Sequence, residues 1–310
     1  MMDASSSTAG NYGTAATAAS GVVIVLAVLS VALRFYTRFF TKAGLKWDDW
    51  LILLAVLSAV ITGVLLLWAT AVDPDGAWVT SNSDPSYVYT PANIFHLKLA
   101  FVASILYFTI ASSTKLSILF MYNRLFSVSA SFRHQAFAAG SLVVGFWIGC
   151  TVATLTNCQP LEWSWRNSLS DARYCFNYNI FWMASGSVEA LIDVLIIMMP
   201  VKIVYALQLS ARRKVTVAAV FALGAFVIIT GIVKVVLGYI PGSRVPSYIR
   251  TEVWTTVHVG MGILQIEYLV TPKKTQIWAR GLVTYGGRPK SLPGAQLGKC
   301  KYRDPCRKRS

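Results

Sequence analysis

Charge is what this chain has least of. Only 13% of its 310 residues are Asp, Glu, Lys or Arg, where an ordinary soluble domain carries about 25%. With 55% of residues hydrophobic and a mean hydropathy of +0.55, a soluble fold of this length could not cover its surface with polar side chains. The composition excludes most soluble classes and leaves one compact polytopic membrane domain. Cysteine is also scarce. Cys150, Cys158 and Cys175 lie in the apolar part, and Cys300 and Cys306 in the tail. That is too few for a disulfide scaffold, and the spacings match no zinc site. No Asn-x-Ser/Thr sequon occurs, so glycosylation offers no marker of topology. No internal repeat is apparent, which counts against the transporter folds built from repeats. HExxH, metal-ligand clusters and serine–histidine arrangements are all missing. The chain is therefore expected to be no enzyme and to carry no cofactor or metal.

What is present is long apolar runs. A spanning helix needs about 20 mostly apolar residues. Six windows satisfy this: 15–36, 49–71, 97–122, 136–157, 178–203 and 215–238. A seventh, 253–270, is weaker because His258, Gln265 and Glu267 interrupt it. No basic residue precedes the first window, whereas a cleaved leader carries its charge in front, so the window reads as a span. The expectation is an all-α membrane protein, a seven-transmembrane helix bundle. Residues 1–19, rich in Ser, Thr, Ala and Gly, form a flexible exoplasmic N-terminus. Residues 20–271 form the membrane domain, and residues 272–310 a basic cytoplasmic tail.

The formal charge of +15 suggests nucleic acid at first sight, but its placement argues for topology. Residues 273–310 hold 11 Lys/Arg and one acid, Asp304. With the N-terminus outside, 21 of the 28 basic residues fall on cytoplasmic segments, as the positive-inside rule requires. Lys98, Arg166, Arg173, Arg244 and Arg250 fall outside, and Lys115 and Lys234 within spans. The expected partner of the basic faces is anionic lipid, with no nucleic acid.

Four polar features then stand out against the apolar background. Asp48 and Asp49, between Trp47 and Trp50, open the second span. Acids there complement the helix dipole, and the tryptophans suit a membrane interface. Two adjacent acids at a basic face also suggest contact with Arg124 or with the Arg212-Arg213-Lys214 cluster.

Lys115 lies nine residues before Arg124 in the third span, a depth of about 13 Å. A lysine there must snorkel or find a partner. In the fifth span Glu189 and Asp193, at i and i+4, share one face that should look into the bundle. Asp193 lies at about the depth of Lys115, so a Lys115–Asp193 ion pair is expected. The pair is either a packing contact or a ligand or proton site.

Lys234, in the sixth span, lies close enough to the outer face to snorkel. The seventh span has no lysine before Lys273, and a retinal Schiff base is not expected. Cys158 and Cys175 bracket the loop between the fourth and fifth spans. The topology places that loop outside, where a disulfide is permitted; two free thiols are the alternative. Its tryptophans either lid the bundle mouth or sit at the interface.

Taken together these stretches resemble one family. They are Trp47-Asp48-Asp49-Trp50, Lys115-x-Ser117-Ile118-Leu119 with Tyr122-x-Arg124-Leu125-Phe126, Cys158-x-Pro160 with Trp163 and Cys175, Asp193 with Pro200, and Arg213-Lys214. Over residues 20–264 the chain is similar to the fungal rhodopsin-like domain family, the family of the satratoxin-cluster membrane protein. The resemblance implies a seven-helix integral membrane protein of a filamentous fungus, without implying light sensing. Glu189 stands where that family more often has asparagine, and His258 where glutamate is common. From Gln265 onward the pattern departs from the family. Residues 265–310 are then either a genuine tail or the product of a gene model that has left the reading frame.

The leading functional expectation is receptor-like, with a small or hydrophobic ligand and a cytoplasmic signalling protein as partners. The alternative is a transporter or accessory membrane protein of a secondary-metabolite cluster. The expected location is the plasma membrane or an endomembrane.

Overall fold

A computed structural model of the chain describes residues 21–22, 25–36, 38–40, 46–74, 76–80, 87–125, 130–166, 171–206 and 211–270. Expectations for residues 1–19 and for the tail beyond 270 lie outside the described residues, as do the side chains of Arg212, Arg213 and Lys214.

Every regular element among the described residues is helical, apart from one isolated bridge between Cys158 and Cys175. The first helix, α1, is described over 25–36 and 38–40. It is followed by α2 (Trp47–Val72), short α3 (Gly76–Thr80), α4 (Pro91–Leu125), α5 (Ala130–Leu155), short α6 (Trp163–Arg166), α7 (Tyr178–Ala206), α8 (Ala211–Gly238) and α9 (Tyr248–Val270). Five of these, α2, α4, α5, α7 and α8, are long and apolar enough to cross a membrane. Large side chains such as Leu67, Trp68, Leu191, Leu195, Ile229 and Val236 are exposed on their outer faces. Apolar exposure on this scale belongs against lipid.

Local chemistry sets the helix starts. Thr90 caps α4: its Oγ1 accepts from Asn93 N at 3.2 Å, while Asn93 Oδ1 accepts from Thr90 N at 3.0 Å. Pro91 fills the first helical position, where a missing N–H costs nothing. At 35 residues, about 52 Å of helix, α4 extends well beyond a hydrocarbon core of about 30 Å. Asn177 starts α7 by accepting from Ile180 N at 3.2 Å. Asp49, in the first turn of α2, accepts from Lys46 N at 3.0 Å.

The apolar core joins Ile52 and Val56 of α2 to Ile118 and Leu119 of α4, Val143 of α5, Ile192 and Ile196 of α7 and Ile263 and Ile266 of α9. α4 packs against α2, α5, α7 and α9, while α8 packs between α7 and α9.

The seventh window becomes one continuous helix of 23 residues, and its weakness has a packing cause. Thr251, His258 and Gln265 recur every seven residues on α9, and Gly238, Gly231 and Gly224 recur every seven on α8. The two rows face each other. A Cβ at Gly238 would lie 2.9 Å from Thr251 Cγ2, one at Gly231 3.2 Å from His258 Cε1, and one at Gly224 2.9 Å from Gln265 Nε2. Glycine removes the side chain that would hold the helices apart. Thr251, His258 and Gln265, which lower the hydropathy of α9, are therefore its buried seam. They are shielded from lipid by α8.

Candidate functional site

Four helices aim ionisable side chains at one buried point midway along the bundle. Lys115 and Tyr107 come from α4, Glu189 and Asp193 from α7, Lys234 from α8 and His258 from α9. Lys115 Nζ lies 2.9 Å from Asp193 Oδ1 and 3.4 Å from Glu189 Oε1. Lys234 Nζ lies 2.9 Å from Glu189 Oε2, which also accepts from the Tyr107 hydroxyl at 2.5 Å. The Lys234 ammonium in turn donates to the Tyr107 oxygen. It also stands 5.8 Å from the centre of the Trp182 ring, within cation–π range. His258 Nε2 lies 3.4 Å from Glu189 Oε1. Lys115, Glu189, Asp193, Lys234 and His258 are all buried.

Glu189 is the hub, because it alone touches both lysines and the histidine. The geometry is what a low dielectric demands. Buried charges stay charged only when paired and hydrogen-bonded. With His258 neutral, two ammoniums balance two carboxylates.

A second buried cluster ties α1 to α2. Arg34 Nε lies 2.7 Å from Asp49 Oδ1 and Arg34 Nη2 2.8 Å from Asp48 Oδ2. Arg38 Nη2 lies 3.2 Å from both carboxylates. Ser117 of α4 donates to Asp48 O at 2.9 Å, which joins the third helix to the cluster.

At the other end the Cys158–Cys175 disulfide closes the loop between α5 and α7. Gln159 N donates to Tyr174 O at 2.8 Å, and Phe176 N to Asn157 O at 3.0 Å, alongside it. Trp163 stacks on Tyr174 within the loop, and Trp165 sets its edge on Phe101 of α4. The Arg173 guanidinium, hydrogen-bonded to Asp171, holds that carboxyl below its ordinary range. The turn between α8 and α9 is fastened to the same place. Asn179 Nδ2 donates to Ile240 O at 2.7 Å and Ser243 O at 3.0 Å, and Arg244 Nη2 to Cys175 O at 2.7 Å.

The structure thus brings Lys115 together with both Glu189 and Asp193. It differs from the sequence reading at two places. Asp48 and Asp49 pair with Arg34 and Arg38; Arg124, by contrast, is exposed, and the alternative contact with Arg212-Arg213-Lys214 falls on side chains outside the described residues. Arg34 and Arg38 stand at i and i+4 on α1, on one face, and this face meets the first turn of α2. Lys234 does not snorkel. The end of α8 lies under the fastened α8–α9 turn, and the buried ammonium pairs with Glu189 at 2.9 Å. Sequence reasoning missed Tyr107, Lys234 and His258 as members of the central cluster. The heptad of Thr251, His258 and Gln265 was a signal for the last of them.

The fold and this interior define a multi-pass helical membrane protein whose spans imply contact with the lipid bilayer. Residues 33–266 match the fungal rhodopsin domain, and the chain belongs to that family. It is 24% identical over 261 residues to the polyenoic acids biosynthesis gene cluster protein Ba17b of Metarhizium anisopliae, covering 79% of this chain and 69% of that protein. It is 26% identical over 204 residues to Receptor GIN3 of Arthrobotrys oligospora, covering 66% of this chain and 47% of the receptor. A satratoxin biosynthesis cluster protein of Stachybotrys chartarum is 25% identical over 151 residues, covering 48% of this chain and 54% of that protein. The chain thus spans about half the length of the latter two. No solved structure matches.

Proposed function

We propose that this is a receptor-like protein: a seven-helix bundle with its N-terminus exoplasmic and its C-terminus cytoplasmic. α1 and α9 complete the five clear spans. The bundle takes a small or hydrophobic ligand at its disulfide end and signals to a cytoplasmic protein at the other. The reading includes no enzymatic step, no retinal and no nucleic acid, and places the protein in the plasma membrane.

The observation that carries it is the convergence of charges from four helices on Glu189. In a low dielectric such contacts are strong and short-ranged. A helix shift of about 1–2 Å therefore exchanges one pairing for another, which gives discrete states. The relative named as a receptor supports the same reading.

A metabolite permease is less well supported. The cavity beside the cluster is about 30 Å³, far below the roughly 150 Å³ that accommodates benzene. Relatives named for biosynthetic clusters favour a second reading, an accessory membrane protein of metabolite handling at an endomembrane.

Topology is checked first. Cysteines introduced by Glu162→Cys and Ser210→Cys should differ: an impermeant maleimide should label only the former in intact cells. Labelling at 210 would overturn the orientation. Function is checked by guanine-nucleotide exchange on a purified fungal Gα subunit, in vesicles holding the protein and exposed to fractions of a fungal culture extract. Exchange that disappears in Asp193→Asn, at equal protein level, supports a receptor. Retention of an extract component inside the vesicles without exchange would favour the second reading.

A further inference from the structure

The hydrogen-bond roles around His258 can be assigned atom by atom, and they leave a conflict. His258 Nδ1 lies 3.0 Å from Val227 O, and a carbonyl oxygen only accepts, so Nδ1 carries a proton. The Thr230 hydroxyl spends its own proton on the same carbonyl at 2.9 Å. It therefore cannot serve as donor to the ring.

A neutral imidazole has one ring proton, so Nε2 is then an acceptor. Yet Nε2 faces Glu189 Oε1 at 3.4 Å, one acceptor against another. A proton between them removes the conflict and creates a different one. Two ammoniums and an imidazolium then stand against two carboxylates, which leaves one positive charge unbalanced in a low dielectric. Each state carries one defect, so neither locks the proton in place.

A route adjoins the pair. The 30 Å³ cavity is lined by His258, Asp193, Lys115, Thr114 and Gln265 among its polar walls. That exceeds the roughly 10–15 Å³ that one water needs. Among the described residues Asp193 Oδ2 is buried without a hydrogen-bond partner, although Oδ1 holds Lys115. Ile118, Gly262 and Gln265 place the cavity on the side of Glu189 away from the disulfide.

We propose that Glu189 and His258 form a binding site for one exchangeable proton, filled through the cavity beside Asp193 from the end of the bundle opposite the disulfide. The site holds whether the bundle signals or serves metabolite handling, so it does not rest on the receptor reading. The groups facing it are Lys115 and Tyr107 from α4, Asp193 from α7 itself, Lys234 and Thr230 from α8, and the Cys150 thiol from α5. Loading adds positive charge beside both lysines and weakens their hold on Glu189. Proton binding is thereby linked to the packing of α8 and α9.

The test is nitrogen-15 NMR of the full chain, labelled at its three histidines, in lipid nanodiscs across a pH series. The His258 signals are assigned by their absence in His258→Gln. Both ring nitrogens of His258 should carry protons at the acid end. Nε2 alone should lose its proton toward the alkaline end, with Nδ1 protonated throughout. A ring neutral at every pH, or one that keeps its proton on Nε2, would overturn the site. This titration uses the natural sequence, so it stands even if Glu189→Gln does not fold. If that variant folds, its His258 should be neutral with the proton on Nδ1 at pH values where the natural protein is loaded. Gln265→Leu, at the cavity wall, should slow proton exchange at His258 several-fold. Unchanged exchange would overturn the route.

Discussion

Glu189→Leu should leave almost no folded protein in mild detergent. The substitution removes the carboxylate that holds Lys234 at 2.9 Å and contacts Lys115 and His258 at 3.4 Å each. Lys115 keeps Asp193. Lys234 keeps only the Tyr107 hydroxyl and the faces of Tyr107 and Trp182 among the described residues. Breaking a buried pair by removing one partner costs about 3–5 kcal/mol, against a total stability of about 5–15 kcal/mol. The effect is large because the helix carrying Lys234 cannot move its ammonium to water without undoing the turn that Asn179 and Arg244 fasten.

The double variant Glu189→Leu with Lys234→Met should recover much of the loss, since an apolar pair avoids the desolvation cost. Asp193→Leu should be milder, because Lys115 then retains Glu189. Folded yield by size-exclusion chromatography and thermal unfolding of each variant decide the order. Two single losses that simply add in the double variant would mean that the residues do not interact.

Much of this was written in the sequence, because membrane helices must satisfy their own backbones and so advertise themselves as long apolar runs. The same logic gave Lys115 and Asp193 as partners, since two opposite charges at one depth have few alternatives. Hydropathy fails where a helix is polar on its inner face only. It averages His258 and Gln265 with their apolar neighbours and does not see that each fills a glycine notch on α8. Reading both rows at a spacing of seven would have shown the seam.

Depth counting failed for Lys234 for a different reason. The residue lies four positions before Gly238 at the end of α8, which suggests water within reach. Whether the end of a helix meets water depends on what is folded over it. Here that is a turn held by bonds to Asn179 and to Cys175 O, from a distant part of the chain. The partners of Asp48 and Asp49 were hidden by the habit of counting Arg34 and Arg38 only as signals of topology. Their spacing of four residues placed both on one face of α1.

Those arginines support the second large effect. Asp49 is fully buried, accepts from Arg34 Nε at 2.7 Å, meets Arg38 at 3.2 Å and receives the Lys46 N–H at 3.0 Å. Asp49→Leu therefore leaves two guanidinium groups to share the Asp48 carboxylate alone and uncaps α2. The expected loss is about 3–5 kcal/mol for the broken pair, with about 1 kcal/mol more for the cap. Asp49→Asn separates the two contributions. Its amide oxygen can still accept from Lys46 N, so it should retain the cap and lose the charge. Because the pairs are buried, raising the salt concentration should barely change either result.

The comparison that decides between the pairing seen here and the one expected from charge clustering is Arg124→Met. If Asp49 answered to Arg124, that variant would fall with Asp49→Leu. With Arg34 and Arg38 as the partners and Arg124 exposed, it should unfold close to the natural protein, while Arg34→Met should fall nearly as far as Asp49→Leu. An Arg34→Met protein as stable as the natural one would remove the cluster as the joint between α1 and α2.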